Sequence, residues 1–364
     1  MPGDSAANRD DLALLERAVH AAGELCLAHY ERNEDRVWDK SADHPVTDAD
    51  IAVNDFLLQE LTTARPDYGW LSEETKDDHS RRTCKRSFVV DPIDGTRAFI
   101  DRNPGFTVCV AIIEDGVAVA GCVFNPLKDE FYSARLGGGA TMNGKSLQIR
   151  NCREVNGCTM VGYPRKFKRL GFPDMRYKIC NSMAYRITMI AAGHANATVS
   201  FTPKSDWDIA AAALIATEAG AVITDLYGAT PSFDGPTTSG KGVICASPAL
   251  HALLLKRVKP VMDKLTTGEA TLKDYRYLGT TMSDRDKAPI QLLHLVIGGE
   301  LVDPSRTTFK NLEEVDFVGA FANYAAAHDA WKSAAQRTVD NAHARYFILH
   351  AHELIDPDKD GIIG

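Results

Sequence analysis

At 364 residues the chain is long enough for two or three domains, each with its own core. Its 45% hydrophobic and 25% charged residues are ordinary for a globular protein, and a net charge of −8 with no Lys/Arg block argues against a nucleic-acid polymer or an anionic membrane as partner. The N-terminus has no secretory pattern, no apolar run nears the roughly 20 residues of a membrane span, and the eight cysteines form no CxxC pair; the expectation is a cytoplasmic protein with reduced thiols.

Apolar residues at 12, 15, 19, 22, 26 and 30 recur at gaps of three and four, which is one face of an amphipathic helix. KSADHPVTDADIAVNDFLLQEL reads as a loop and then a second helix, with Asp48 and Asp50 in its first turn. YGWLSEETKDD is a short strand ending in acids, and RSFVVDPIDG a second strand that runs into a sharp turn. From FTVCV to GKSL the apolar runs are broken by Glu-Asp-Gly, Asn-Pro, Gly-Gly-Gly and Asn-Gly, a hairpin meander. SMAYRITMIAAG is helical and NATVSF extended; WDIAAAALIATEAG is a nearly apolar helix with Gly220 as its stop. After about residue 255 the sequence turns polar and aperiodic. The expected domains are 1–258, a linker over 259–288, and a small C-terminal unit, 289–364, built from IQLLHLVIGG, a helix near YAAAHDAWKSAAQRTVDNAH and the strand RYFILHAHEL.

Acids recur where these elements end: Glu73 and Glu74 after WLS, Asp91 and Asp94 in DPIDGT, and Asp208 in SDWD. Read singly, Asp208 could be a helix N-cap and Glu73 and Glu74 a solvated loop. Asp91 resists such a reading, since it directly follows Phe-Val-Val and precedes Pro92. Taken together, oxygen ligands with no His or Cys nearby select a hard cation such as Mg²⁺. Asp94, Gly95 and Thr96 would open the next helix, so that backbone N–H groups could hold a phosphate, with Gly95 allowing close approach and Thr96 adding a hydroxyl. Carboxylates alone would repel a phosphate dianion; divalent metal reverses that sign and activates a water. The pattern points to metal-assisted phosphoester hydrolysis.

SEE, DPIDGT and WDIAAAALIATEAG, in this order and spacing, resemble the three signature segments of the inositol monophosphatase superfamily, and the match runs over roughly residues 10 to 260. The resemblance implies a mixed α/β (α+β) fold, a layered αβαβα sandwich of the sugar-phosphatase type, with a small α/β domain after it. It also implies a metal-dependent phosphoric monoester hydrolase using two to three Mg²⁺ ions, often lithium-sensitive and often a homodimer. Carried over by position, the metal ligands are Glu73, Asp91, the Ile93 carbonyl, Asp94 and Asp208. Asp91 bridges two ions, Asp94 and Asp208 hold the second, and Glu73 shares the first and orients the nucleophilic water through a third, weaker site. Thr96 and Asp50 position and deprotonate that water, and Gly95 and Thr96 bind the phosphate through backbone N–H groups.

AFIDRNPGFTVCVAIIEDG looks closer to the 3'(2'),5'-bisphosphate nucleotidase branch, which makes adenosine 3',5'-bisphosphate the leading substrate. Inositol 1-phosphate and histidinol phosphate are the alternatives, and a silent binding or scaffold protein is a further one. Members acting on inositol phosphate usually carry a glutamate seven residues before the WD aspartate; Phe201 stands there, removing a hydroxyl-binding group and offering a stacking surface. Ser182 and Arg186 lie where the family's substrate loop sits and are candidate contacts to sugar or a second phosphate. Residues 289–364 resemble a small bacterial domain of uncharacterised function. They hold 11 acidic and 6 basic residues, which again disfavours nucleic acid. His350 and His352 lie two apart in a strand and share a face, as packing residues or as a metal pair. The tail DPDKDGIIG starts like a calcium loop but ends before the required glutamate, so a disordered acidic tail is expected.

Overall fold

The helical face read at residues 12–30 belongs to a longer helix, α1 (Ala6–Arg32), opened by Ser5, whose side chain accepts from Asn8 N at 3.1 Å. In the computed structural model, residues 5–41, 44–233, 235, 237–266, 294–303, 308–321, 324–338, 341 and 343–350 are described. The segment expected to be a loop is an antiparallel hairpin, β1 (Val37–Ser41) and β2 (His44–Thr47). Its strands are too short, and Pro45 too disruptive, for a period-two pattern to show in the sequence. Thr47 then caps α2 (Asp48–Ala64) in a reciprocal capping box with Asp50.

β3 (Gly69–Ser72) pairs in parallel with β4 (Arg86–Asp94), and after α3 (Thr96–Ile100) the chain returns antiparallel in β5 (Thr107–Glu114). β6 (Val117–Asn125), β7 (Glu130–Arg135), β8 (Ala140–Met142) and β9 (Lys145–Ser146) extend the meander into a seven-stranded sheet ordered β3-β4-β5-β6-β7-β8-β9. A second, five-stranded sheet follows, ordered β11-β10-β12-β16-β14. It is built from β10 (Thr159–Val161), β11 (Arg176–Lys178), β12 (Ala197–Ser200), β14 (Val222–Thr224) and β16 (Val243–Ala246). Between its strands lie α4 (Pro164–Arg169), α5 (Met183–Ala191) and α6 (Asp206–Glu218), and a small pair, β13 (Lys204–Ser205) with β15 (Ser239–Gly240).

The layers follow from where apolar residues are buried. α1 and α2 cover one face of the large sheet, meeting Phe88, Val90, Val110 and Ile112. α5 and α6 cover the other face, meeting Val89 and Ala111, and their far side packs on the second sheet. α7 (Pro248–Thr266) closes the stack with Leu250, Leu254 and Val258 against Met160 and Ile244. This is the αβαβα order. β4 is buried along its whole length, and for that reason Phe88, Val89 and Val90 follow one another with no polar residue between them. α6 needs its Ala210–Ala213 run because it lies so close to the sheet that a Cβ on Gly121 would be 3.0 Å from Ala211 Cα. Gly220, at φ +94°, follows directly on the helix end at Ala219.

The chain divides into two units, Met1–Thr280 and Thr281–Gly364. In the second, β17 (His294–Glu300) is the centre of an antiparallel sheet ordered β18-β17-β19, with β18 (Asp316–Phe321), α8 (Tyr324–Arg337) and β19 (Ala344–His350). Trp331 of α8 donates its indole N–H to Tyr346 O at 2.8 Å. β18 has no counterpart in the sequence reading, and α8 ends at Arg337, short of the expected residue 343. α7 continues to Thr266 despite Pro260, so the first eight residues assigned to the linker are helical. The rest of that linker, His352 and the 356–364 tail lie outside the described residues, as does the side chain of His350. No helix among the described residues is long and apolar enough to cross a membrane.

Candidate active site

Asp91 and Asp94 are three residues apart, which in a regular strand would send them to opposite faces. Their partners on β5 are Cys109 and Thr107, only two apart, so β4 carries a bulge with one extra residue between the two acids. The extra residue restores the phase and puts both carboxylates on the face where α6 packs. The expected sharp turn is thus a bulged strand end, and Pro92, lacking an N–H, suits a bulge.

From the opposite side, α6 brings Asp208, whose carboxylate accepts Ser205 N at 2.8 Å in a capping box. Asp208 is therefore a helix-capping residue, and it also joins the cluster. Asp91, Asp94 and Asp208 each present an oxygen within 4.8 Å of the other two. Glu73 joins from the end of β3, where its N–H donates to Val90 O at 3.2 Å and extends the β3–β4 pairing. Asp50 joins from α2, and Thr96 Oγ1 lies 3.2 Å from both Asp50 Oδ1 and Ile93 O.

The cost of gathering these acids shows in their protonation. Burial, helped by Glu73, Asp94, Asp208 and Asp50, holds Asp91 well above the usual carboxylate range. Asp94 is pushed up to about 6, first by burial and then by Asp208, although Ser182 Oγ (2.7 Å) and Ala184 N (2.6 Å) donate to its Oδ2 and favour its charged form. Burial lifts Asp50 to about 6 against hydrogen bonds from Thr47. Glu73 rises to about 7, mainly by burial, with Lys40 opposing and Asp208 adding to the rise. Oxygen donors alone suit a hard divalent cation, and Asp91 Oδ2 is buried with no hydrogen-bond partner among the described residues, the atom that an ion would satisfy.

Three expectations change. Ser182 is fully buried behind Asp94, as N-cap of α5 and donor to that carboxylate; it orients a cluster acid and is not exposed to a substrate. Arg186 is buried too, with Nε donating to Cys180 O at 2.7 Å and Nη2 to Asn181 O at 3.4 Å, so its guanidinium holds the loop before α5. Phe201 offers no stacking face, because it packs beside Phe167 in the core under the second sheet. Gly95 has a structural reason beyond phosphate access. At φ +98°, any Cβ there would lie 3.0 Å from Gly105 O and 3.2 Å from Ser182 N. Glu74 is no solvated loop residue, since only 4% of its side chain is exposed.

Lys40 is the residue that the sequence reading missed. It reaches from β1 to within 3.4 Å of Glu73 Oε1 and hydrogen-bonds Glu74. A lone lysine in an apparent loop carries no signal; only recognition of the hairpin would have raised it. A cavity of about 330 Å³ opens beside the cluster, between Glu73 and Trp207, walled by Ser72, Thr75, His79 and Thr238.

Residues 8–263 match the Inositol monophosphatase family. The chain belongs to that family. Its members are phosphatases, and so is this chain, a phosphoric monoester hydrolase. The inositol monophosphatase of Dictyostelium discoideum is 31% identical over 253 residues, covering 65% of this chain and 91% of that one. The 3'(2'),5'-bisphosphate nucleotidase CysQ of Salmonella typhimurium is 36% identical over 200 residues, 52% of this phosphatase and 80% of the relative. Among solved structures, the extragenic suppressor protein suhB of Bartonella henselae matches with a TM-score of 0.62 at 26% identity, over 69% of this chain and 98% of that one. Residues 292–351 match a domain of unknown function, DUF4170.

Proposed function

We propose that this phosphatase is Mg²⁺-dependent and hydrolyses a small phosphate monoester, with a 3'(2'),5'-bisphosphate nucleotide as its leading substrate. The observation that carries the metal reading is the convergence of Glu73, Asp91, Asp94 and Asp208 from three separated stretches, with Asp91 Oδ2 left buried and unpartnered. These four carboxylates and the Ile93 carbonyl would hold two to three ions. Bound Mg²⁺ supplies positive charge against the phosphate and acidifies a water.

The chain's own groups do the rest. Asp50 Oδ1 lies 3.2 Å from Thr96 Oγ1, so the hydroxyl can pass a proton from the attacking water to Asp50. Asp50 is fixed for that role by Thr47, whose N–H (2.8 Å) and hydroxyl (2.6 Å) both donate to its other oxygen. Ser182 Oγ and Ala184 N fix Asp94 in the same way. Gly95 and Thr96 would bind the phosphate through their N–H groups, leaving no need for a covalent intermediate.

Two features support the bisphosphate. β12 ends in Ser200, whose hydroxyl is engaged by Thr202, and continues into buried Phe201, so this stretch offers no carboxylate for ring hydroxyls. Lys204 is close enough to depress Asp94 and provides a cation for a second phosphate. Over the stretch it shares, CysQ at 36% identity is also more similar to this chain than the Dictyostelium discoideum inositol monophosphatase at 31%. Phosphate release from adenosine 3',5'-bisphosphate, inositol 1-phosphate and histidinol phosphate, with and without Mg²⁺, tests the reading. The bisphosphate is expected to show the highest kcat/KM; a higher value for either of the others overturns the substrate assignment. A cytoplasmic homodimer inhibited by lithium belongs to the same reading.

The raised carboxyl groups give a stability prediction whose sign is fixed. Unfolded, these acids ionise near pH 4; folded without metal, Asp50 and Asp94 hold protons to about 6 and Glu73 to about 7. The metal-free fold is therefore favoured at low pH and loses that contribution as pH rises from about 4 to 7. Mg²⁺ compensates the ionised forms, so its stabilisation should grow over the same window. Thermal melts are expected to show a Mg²⁺-induced rise in Tm that is larger at pH 8 than at pH 5.5 by on the order of 5 °C. An equal rise at both pH values would contradict buried, metal-compensated carboxylates.

A further inference from the structure

We infer that Thr107 is a positioning residue for the metal site: its hydroxyl donates to Ser182 and thereby commits the Ser182 proton to Asp94. The inference rests on the metal reading above and extends it to β5, a strand from which none of the proposed ligands comes.

Thr107 and Cys109 are the polar residues among the apolar ones of β5, and they stand opposite the two acids of β4, Thr107 against Asp94 and Cys109 against Asp91. Directly opposed residues of an antiparallel pair share a face, so both lie on the side where the acids converge. Thr107, Cys109 and Ser182 are all buried, and their contacts form a line. Cys109 Sγ lies 3.3 Å from Thr107 Oγ1 and 3.9 Å from Thr107 O, Thr107 Oγ1 lies 3.0 Å from Ser182 Oγ, and Ser182 Oγ donates to Asp94 Oδ2 at 2.7 Å.

Proton counting gives this line a direction. Each hydroxyl has one proton, and an ionised carboxylate accepts only. Asp94 in the form that binds a cation has no proton to give, so the Ser182 proton goes to Asp94. Tyr185 N–H donates to the same Ser182 oxygen at 2.9 Å, as the cap of α5. The bond between the two hydroxyls then needs Thr107 as its donor, which leaves Thr107 Oγ1 as acceptor for the Cys109 thiol. Donation into Ser182 polarises its O–H toward Asp94, because bonds in a buried chain reinforce one another. Ser182 and Ala184 N, at 2.6 Å, both donate to Oδ2 and fix the orientation of the carboxylate. Outer-shell bonds of this kind carry about 10- to 100-fold in metal affinity.

The test is a calorimetric Mg²⁺ titration of the full chain as wild type, Thr107→Val, Thr107→Ser, Ser182→Ala and the double variant Thr107→Val with Ser182→Ala, with Mn²⁺ spin resonance to count ions. Thr107→Val keeps the shape and removes the hydroxyl; it should weaken one class of site by about tenfold with the ion count at saturation unchanged. Thr107→Ser keeps the hydroxyl and should stay within about threefold of wild type. A packing role alone predicts the reverse order, since Ser leaves the larger void. Ser182→Ala should weaken binding at least as much as Thr107→Val, and the double variant little further, because Thr107 acts through Ser182. Should Thr107→Val not fold, Thr107→Ala against Thr107→Ser makes the same comparison, with Ala expected to bind about tenfold more weakly. Wild-type affinity in Thr107→Val overturns the inference and leaves the metal reading standing, as does equal affinity of the Ala and Ser variants or multiplied losses in the double variant. Should the wild-type chain itself bind no Mg²⁺, the metal reading falls, and this inference with it.

Discussion

Asp91→Asn is expected to lower Mg²⁺-dependent kcat/KM by at least about 10³-fold, the several kcal/mol of charge stabilisation that a catalytic metal contributes. Asp91 is the acid with the most to lose. It is 1% exposed, sits where the β4 bulge turns it toward Asp94 and Asp208, and carries an oxygen that nothing among the described residues satisfies. Asn has the same shape but keeps only one acceptor oxygen and no charge, so it cannot bridge two cations. The same replacement removes a buried charge, so the metal-free protein should melt no lower than wild type. Loss of activity together with an unchanged or higher Tm separates this account from simple unfolding. A variant retaining a tenth of wild-type activity in Mg²⁺ would contradict it.

The second large effect belongs to the Asp50–Thr96 pair. Asp50→Asn should reduce kcat by about 10²- to 10⁴-fold, the usual contribution of a positioned general base, while Mg²⁺ affinity measured by calorimetry stays within a few-fold of wild type. Thr96→Ala should behave alike. The double variant should lose little more than the worse single one, because the two groups act as one unit across a 3.2 Å contact. Losses that multiplied in the double variant would indicate separate roles. Asp50 also closes the α2 capping box, so a modest loss of stability, about 1 kcal/mol, is expected alongside.

The sequence carried the acidic cluster because the acids interrupt strong local patterns. Asp91 follows three buried apolar residues, Asp208 opens an apolar helix, and Glu73 ends a strand. Charge in those places is legible without coordinates. The layered fold was legible through the family resemblance that the same segments carry. What the sequence concealed is what depends on pairing. The bulge that puts Asp91 and Asp94 on one face appears only when β4 is matched to β5. The β1–β2 hairpin has strands of five and four residues, too short for alternation to declare itself, and with it went Lys40. Ser182, Arg186 and Phe201 were placed near the reaction centre by position alone. Burial decides their part, and each turns inward, to Asp94, to a loop carbonyl and to an aromatic core. Position along the chain says where a residue lies, and only packing says which way it faces.

The central claim is that Asp91, Asp94 and Asp208 keep their charges together because a divalent cation lies among them. Crystals soaked in Mn²⁺ and measured at its absorption edge test this most directly. The account requires an anomalous peak bonded to oxygens of all three aspartates at about 2.1 Å, as expected for an octahedral hard ion. Diffraction showing the three carboxylates in place and no anomalous signal among them at saturating Mn²⁺ would contradict it.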